Sequence, residues 1–390
     1  MLTQSNFWLN SILLPWTQLQ RFLCGNSIQP QPPYHMPAEW ATHTRTLMAW
    51  PDRICVERDD QLHRVWTEVA MLAETIALYE PVWVFAGSDN VNAATPWISS
   101  VNVTVKEAEL EHPWIRDTGS LLVKSKQDAI VGIDANFNYW GSKLSLSFRH
   151  DATLASRVLR DSKIPRAQAP FVFEGGALEV DGRGTLLATE SSILNPNRSP
   201  GLTKESEEDH LKQLLNITKT IWLPGIAGQD ITDEHIDLLA RFAPNNTVLL
   251  SRPNAAIPPD DHTWRIYNEA KAILQRETSA ANQPLRIVEL EEALTVPYAR
   301  IEEPHQRPAT SYLQYYLPNG AVVVPQFGED RTNDEAVRVL REIWPERDVV
   351  GVELDILPWM GGGVHAVTLQ WPFAAAEMRE DRVATAENEL

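Results

Sequence analysis

Residues 59–86 read DDQLHRVWTEVAMLAETIALYEPVWVFA, and two different periodicities meet in them. Over Asp59–Tyr79 the apolar residues Leu62, Val65, Trp66, Val69, Leu72 and Ile76 fall on one stripe, as on one face of an α-helix. After Pro81 the run VWVFA is short, apolar and rich in β-branched residues, so it reads as a strand.

The same alternation extends in both directions. Helical periodicity returns near Asp151–Arg160, over Thr203–Leu215, near His262–Arg276, and from about Asn333. Thr203-Lys-Glu-Ser-Glu-Glu is a charged, capped start. Asn333 can cap the last helix, which carries Val337, Leu340, Ile343 and Trp344. Between the helices lie the apolar runs LMAW, VNVTV, SLLV, AIVGI, TLLATE, TIWLP, TVLLS, RIVEL, AVVVPQF, VVGVEL and AVTLQW, each of strand length. Strands alternating with helices to the end imply an α/β or mixed α+β class. The helices recur at irregular intervals of about 55–90 residues, a weak sign of repeated supersecondary units. No low-complexity linker interrupts the middle. One compact domain is expected over residues 36–375, with an N-terminal extension, 1–35, and a C-terminal tail, 376–390.

Of the 390 residues, 43% are hydrophobic, which is ample for a large core. The formal net charge of −18 disfavours nucleic acid and would favour a cationic small molecule, although solubility alone accounts for such acidity. No apolar run reaches the ~18 residues that span a bilayer. Two cysteines, Cys24 and Cys55, make no disulfide framework, so a reduced, cytoplasmic setting is expected. The first residues are apolar, but no Lys or Arg precedes Arg21 and Pro15 interrupts the run, which argues against a signal peptide. They are expected to pack as an amphipathic segment or to form a loose tail. No G-x-G-x-x-G follows a strand and no phosphate-binding loop with a terminal Gly-Lys-[Ser/Thr] occurs. Gly361-Gly-Gly precedes Val364-His-Ala-Val-Thr-Leu, which reads as a strand and not as an anion-binding helix start.

Four clusters place ionisable residues at the ends of apolar runs. They are His112-Pro-Trp-Ile-Arg-Asp117-Thr-Gly, Phe173-Glu174-Gly-Gly, Asp230-Ile-Thr-Asp-Glu-His235-Ile-Asp237, and Gly361-Gly-Gly-Val-His365-Ala366. In an extended stretch His235 and Asp237 would share a face. Each cluster also has an ordinary structural explanation. Arg116 and Asp117 suit an ion pair at a turn, Glu174 can cap the glycine turn, His235 and Asp237 suit a surface salt-bridge network, and His365 a satisfied core histidine. As a set they suit one kind of chemistry, in which carboxylates hold a planar guanidinium by bidentate hydrogen bonds and a histidine moves protons near neutral pH.

The chain resembles the agmatine deiminases and bacterial-type peptidyl-arginine deiminases from Met36-Pro-Ala-Glu-Trp to Pro372. The resemblance rests on that stretch, Met48-Ala-Trp-Pro, Trp114-Ile-Arg-Asp-Thr-Gly119, Glu174-Gly-Gly, Asp181-Gly-Arg-Gly-Thr-Leu-Leu, Leu194-Asn-Pro-Asn-Arg, Ile221-Trp-Leu-Pro, His235-Ile-Asp237, Val322-Val-Val-Pro-Gln-Phe-Gly and Gly361-Gly-Gly-Val-His-Ala, in the family's order. It implies a five-bladed α/β propeller of ββαβ units, the pentein fold. It implies that Asp117 and Asp237 grip the guanidinium with Glu174 nearby, that Trp114 flanks the substrate, and that His235 is the acid–base. The substrate would be agmatine, giving N-carbamoylputrescine and ammonia without metal or organic cofactor. In the family a cysteine thiolate follows the histidine that His365 matches, and it attacks the guanidinium carbon. Here that position is Ala366, whose methyl group cannot act as a nucleophile. Either the thiol has been exchanged to trap substrate, which retention of the other site residues favours, or the chain is a natural pseudoenzyme. Glu179, Glu234, Ser142 and Gln314 are lesser departures that bear on substrate choice.

Three alternatives stay open. The same chemistry could serve arginine or a peptidyl-arginine. A metal hydrolase could use His112, His235, Asp237 and His365 as ligands, although no H-x-x-x-H or Cys cluster supports it. A non-catalytic guanidine-binding protein would need no nucleophile. A homo-oligomer is compatible with each.

Overall fold

A computed structural model describes residues 32–56, 58–144, 149–296 and 307–375. The expected tail and residues 1–31 of the expected extension lie outside the described residues. Residues 32–35 are described, and Tyr34 N donates to Leu214 O at 2.8 Å while His35 N donates to Lys124 O at 2.8 Å.

Helix α1 (Asp59–Ile76) buries Leu62, Val65, Val69, Leu72 and Ile76, the expected stripe, with Trp66 half-buried. Each such side chain stabilises the fold by about 1.5–3 kcal/mol relative to exposure. The helix links strand β1 (His43–Ala49) to β2 (Val82–Ala86), which pair in parallel with Leu47 opposite Trp83, and β3 (Val103–Glu107) adds to β2.

A repeating pattern follows, in which an antiparallel pair leads to a helix and then to a strand returning in parallel. Strands β4 (Leu121–Lys124) and β5 (Ile130–Asp134) pair antiparallel, α2 (Asp151–Asp161) crosses, and β6 (Arg166–Gln168) returns beside β5. Strands β7 (Glu179–Val180) and β8 (Thr185–Thr189), helix α3 (Lys204–Leu215) and β9 (Lys219–Leu223) repeat it. So do β10 (Ala240–Ala243), β11 (Thr247–Arg252), α4 (His262–Arg276) and β12 (Arg286–Glu291). In the next unit β13 (Ala321–Gln326) and β14 (Asp348–Glu353) are parallel across α5 (Asp330–Ile343), and the antiparallel partner shrinks to one bridge, Tyr316 to Val323. Strand β15 (Thr368–Pro372) completes the first sheet, antiparallel to β1 with Leu47 opposite Leu369. The class is α/β, in five separate sheets, four of them mixed and the β13–β14 pair parallel, and no sheet closes on itself among the described residues. No described helix is long and apolar enough to cross a membrane.

Several local expectations change. Helix α3 does start with a capping box, Ser206 N donating to Thr203 Oγ1 at 3.3 Å and Thr203 N to Ser206 Oγ at 2.9 Å. Asn333, however, is not a cap: α5 begins at Asp330, and Asn333 Oδ1 accepts from Phe327 N at 3.0 Å and Tyr312 Oη at 2.7 Å. Residues 364–367 form a turn, and the strand begins only at Thr368. Ile236–Leu239 is a helical turn, so His235 and Asp237 are not strand neighbours on one face.

Glu68 lies on the buried face of α1, where its carboxylate accepts N–H bonds from Asp355 at 2.5 Å, Ile356 at 2.8 Å and Leu357 at 3.0 Å. That anchor ties the first helix to the segment running into the Met360–Ala366 turn. Trp114, Trp140, Val364 and Val367 join the α1 stripe in one apolar cluster, so the walls of the site described next rest on the same core.

Candidate active site

The repeated unit explains how distant residues converge. Asp117 sits in the turn Ile115–Thr118 before β4, and Glu174 immediately precedes the turn Gly175–Ala177 before β7. His235 and Asp237 begin the turn before β10, Gln314 ends the turn Tyr312–Gln314 before β13, and Ala366 lies in the turn before β15. Each unit thus offers one turn, at the same point of its sequence, to a common centre.

A cavity of about 30 Å3 lies there, and Trp114, Asp117, His235, Asp237 and Ala366 all line it. That volume suits about two to three water-sized groups. Glu174 is not in the wall but behind His235, fully buried, with Oε2 at 3.1 Å from His235 Nε2. Arg198 Nε donates to Glu174 Oε1 at 2.8 Å, and Arg198 Nη1 reaches Asp233 Oδ2 at 2.6 Å. Asp117 accepts from Trp140 Nε1 at 2.9 Å and from Gly176 N at 3.0 Å. Asp237 Oδ2 lies 2.7 Å from His365 Nδ1.

Two glycines allow these groups to meet. A Cβ on Gly176 would lie 2.6 Å from His235 Nδ1 and 3.1 Å from both Asp117 Oδ1 and Asp237 Oδ2, so the histidine and the two carboxylates surround one point. A Cβ on Gly362 would lie 2.6 Å from the Trp114 ring and 2.8 Å from the Ala366 methyl.

The charges at this centre oppose one another. Burial alone would disfavour the His235 imidazolium, yet the charge of Asp117, the hydrogen bond and charge of Glu174, and Asp237 push its pKa up to about 9. Asp117 is raised, chiefly by burial and further by Glu174 and Asp237. Burial also acts to raise Asp237, but the hydrogen bond and charge of His365, with His235 and Gln314, hold it below the ordinary carboxylate range. Glu174 is likewise held low against its burial by His235 and Arg198. A buried site with one imidazolium and two cavity-facing carboxylates can hold a flat cation and deliver a proton to it.

Trp140 and Gln314 complete the wall. Trp140 belongs to four consecutive residues at positive φ, Tyr139–Ser142, a left-handed turn that costs on the order of 1–2 kcal/mol per non-glycine residue. Asn138 stabilises it, its Oδ1 accepting from Gly141 N at 2.8 Å and its Nδ2 donating to Asn197 O at 3.0 Å. Among the lesser departures, Ser142 ends this turn, Glu179 accepts from Phe242 N at 3.0 Å, and Glu234, at φ 61°, accepts from Ile226 N at 2.5 Å.

The four residues that the metal-hydrolase alternative would use are not gathered as ligands. His112 pairs with Asp151 at 2.7 Å and His235 with Glu174 at 3.1 Å, while His365 and Asp237 bond each other at 2.7 Å. Among the described residues no group of three or more His, Cys, Asp or Glu is arranged to hold a metal ion. Cys55 does not line the cavity, and burial pushes its thiol up to about 12, with Asp52 and Asp151 adding to the rise. It is no substitute for a thiolate at position 366. Cys24 lies outside the described residues.

Comparison with known proteins bears on this geometry. The sequence profile of Porphyromonas-type peptidyl-arginine deiminases matches residues 35–372. The agmatine deiminase of Stutzerimonas stutzeri (strain A1501) is 34% identical over 356 residues, covering 87% of this chain and 95% of the relative. That of Medicago truncatula is 35% identical over 367 residues, covering 87% and 96%. The structure of the Enterococcus faecalis agmatine deiminase superposes with a TM-score of 0.81 at 25% identity, covering 89% of this chain and 98% of that one. The chain therefore belongs to the family of Porphyromonas-type peptidyl-arginine deiminases and is similar over most of its length to agmatine deiminases.

Proposed function

We propose that the chain binds the guanidinium of agmatine in the cavity between Asp117, His235 and Asp237 and, with Ala366 at the nucleophile position, holds it without turning it over. The observation that carries this is that two carboxylates and one histidine line one small cavity beside Ala366. Asp117 and Asp237 take the guanidinium N–H groups, Trp114 covers one face of the plane, and Glu174 keeps the His235 ring oriented. Deiminase chemistry at such a site joins a thiolate to the guanidinium carbon, expels ammonia with a proton from His235, and lets water release N-carbamoylputrescine. It calls on no metal or organic cofactor. The methyl of Ala366 can form no such bond, so binding and polarisation remain. The relatives' activity, the five repeated units and the cavity lining support this reading, and the units fit a five-bladed propeller with the cavity at its centre. A single domain over residues 36–375 acting in the cytoplasm completes the proposal.

A second reading is favoured by one observation. A cleft of about 890 Å3 shares Ile231, His235, Leu238 and Gly361 with the small cavity, far more room than a four-carbon amine requires. It would admit an arginine side chain on a larger body. Calorimetry of the chain with agmatine, arginine and an arginyl peptide tests both readings. Agmatine is expected to bind with heat and without ammonia release, and absence of binding to all three would refute the proposal.

A further inference from the structure

Behind Asp237 lies a buried carboxylate that the guanidinium reading does not use. Glu39, from the Met36-Pro-Ala-Glu-Trp stretch, is 6% exposed and meets four donors with two oxygens. Its Oε1 lies 2.9 Å from Arg241 Nη2 and accepts from Leu317 N at 3.1 Å. Its Oε2 lies 2.8 Å from His365 Nε2 and 3.2 Å from Arg116 Nη2. His365 in turn presents Nδ1 to Asp237 Oδ2 at 2.7 Å. Arg116 also holds two consecutive carbonyls of the turn that carries residue 366, its Nε donating to His365 O at 3.2 Å and its N to Ala366 O at 3.2 Å.

We propose that Glu39 is a positioning residue of the guanidinium site: through His365 it aims the Asp237 carboxylate at the bound cation, and through Arg116 it sets where residue 366 stands. This rests on the guanidinium reading of the cavity. An imidazole held by Asp237 alone could turn about that one contact; the second carboxylate, on the opposite ring nitrogen, removes this freedom. A side chain that only filled space would not need charge, yet Glu39 faces two guanidinium groups and a ring nitrogen. Glutamine keeps the shape but turns one acceptor into a donor facing these donors.

The ionisation of Asp237 carries the signature. The groups facing it are His365, His235, Gln314 and Asp117. Those acting on or near Glu39 are Arg241, Arg116 and His365, with Arg347, Tyr315, Tyr316 and Glu179 beyond. Asp237 is held below the ordinary range, so its grip is lost only as pH falls through that low value. Freeing the His365 ring weakens the hold, raises the Asp237 pKa, and moves the loss to higher pH.

The test is agmatine calorimetry on the full chain and its Glu39→Gln variant between about pH 3.5 and pH 8, beside thermal unfolding. The expected result is an affinity ratio that stays level near neutral pH and widens as pH falls into the ordinary carboxylate range, approaching the roughly tenfold that one pH unit of displacement gives. A ratio that stays constant with pH while the melting temperature falls means a structural role only and overturns the proposal. If Glu39→Gln does not fold, His365→Gln, which leaves both arginines paired with Glu39, must show the same widening; wild-type behaviour there overturns it. Carbon NMR of Asp237 in the ligand-free chain, assigned with Asp237→Asn, separates this from the guanidinium reading. An upward shift of its titration in the variants upholds the relay even if agmatine does not bind, and no shift overturns it.

Discussion

Nε2 of His235 stands 3.1 Å from Oε2 of Glu174, and Arg198 holds the other oxygen of that carboxylate at 2.8 Å. With Asp117 and Asp237 on its cavity side, His235 has a pKa of about 9 in the ligand-free site. The cavity therefore already contains a cation, and an arriving guanidinium is the second.

Like charges disfavour each other, so agmatine should drive the His235 pKa down and release a proton near pH 8. Calorimetry in two buffers of different ionisation enthalpy will report it. Release of up to about one proton, absent in His235→Gln, is the expected outcome; equal heats in both buffers count against it.

The same ionisation has a sign in folding. The folded-state pKa of His235 is raised, so its contribution is complete below the unfolded value of about 6.5 and is lost as pH rises through about 9. The shift corresponds to on the order of 3 kcal/mol. Urea unfolding of the chain and of His235→Gln should show their stability difference shrinking by that order between pH 6 and pH 10.

Gly176→Ala places a methyl 2.6 Å from His235 Nδ1 and 3.1 Å from both cavity carboxylates. Overpacking of this kind costs about 1–3 kcal/mol, which a domain of this size tolerates. The variant is expected to fold, to melt a few degrees lower, and to lose agmatine binding. Undiminished affinity would mean that the ligand sits elsewhere.

Trp140→Phe removes the N–H that holds Asp117 Oδ2 at 2.9 Å. A hydrogen bond to a charged group contributes about 1.5–3 kcal/mol, so agmatine affinity should fall at least about tenfold at neutral pH. The fall should deepen towards acid, since Asp117 is already raised and loses a stabilising donor. Calorimetry at two pH values checks both points.

Much of this architecture is legible in the sequence because burial imposes periodicity. The α1 stripe and the twelve apolar runs emerge as helix and strands, most of them because those residues face the core, while β3, β12 and β14 are largely half-buried or exposed. Strands β6, β7 and β10 escape such a reading for physical reasons: β6 is exposed, β7 has two residues, and β10 carries Arg241, whose buried charge is balanced by Glu39 and Glu179 from elsewhere. The turn over residues 364–367 reads as a strand because its valines are buried, although a turn and not a sheet buries them. For the site, the motifs point to Asp117, His235, Asp237 and Ala366, which do line one cavity. Glu39 and Gly176 fall inside the stretches Met36-Pro-Ala-Glu-Trp and Glu174-Gly-Gly, but nothing in those stretches tells their role, and nothing singles out Trp140. Glu39 meets His365 across 326 residues, and Gly176 matters only for the side chain it lacks.

The measurement that tests the central claim most directly is ammonia release from agmatine by the chain and by Ala366→Cys. Cysteine is only slightly larger than alanine and should fit beside Gly362, and a guanidinium lying against its sulfur would favour the thiolate. The account predicts that the unaltered chain binds agmatine and releases no ammonia at an enzymatic rate, whereas Ala366→Cys releases ammonia and N-carbamoylputrescine together, and that adding Asp237→Ala abolishes the release. Ammonia formed at an enzymatic rate by the unaltered chain, or an Ala366→Cys variant that binds agmatine yet leaves it intact, would contradict it.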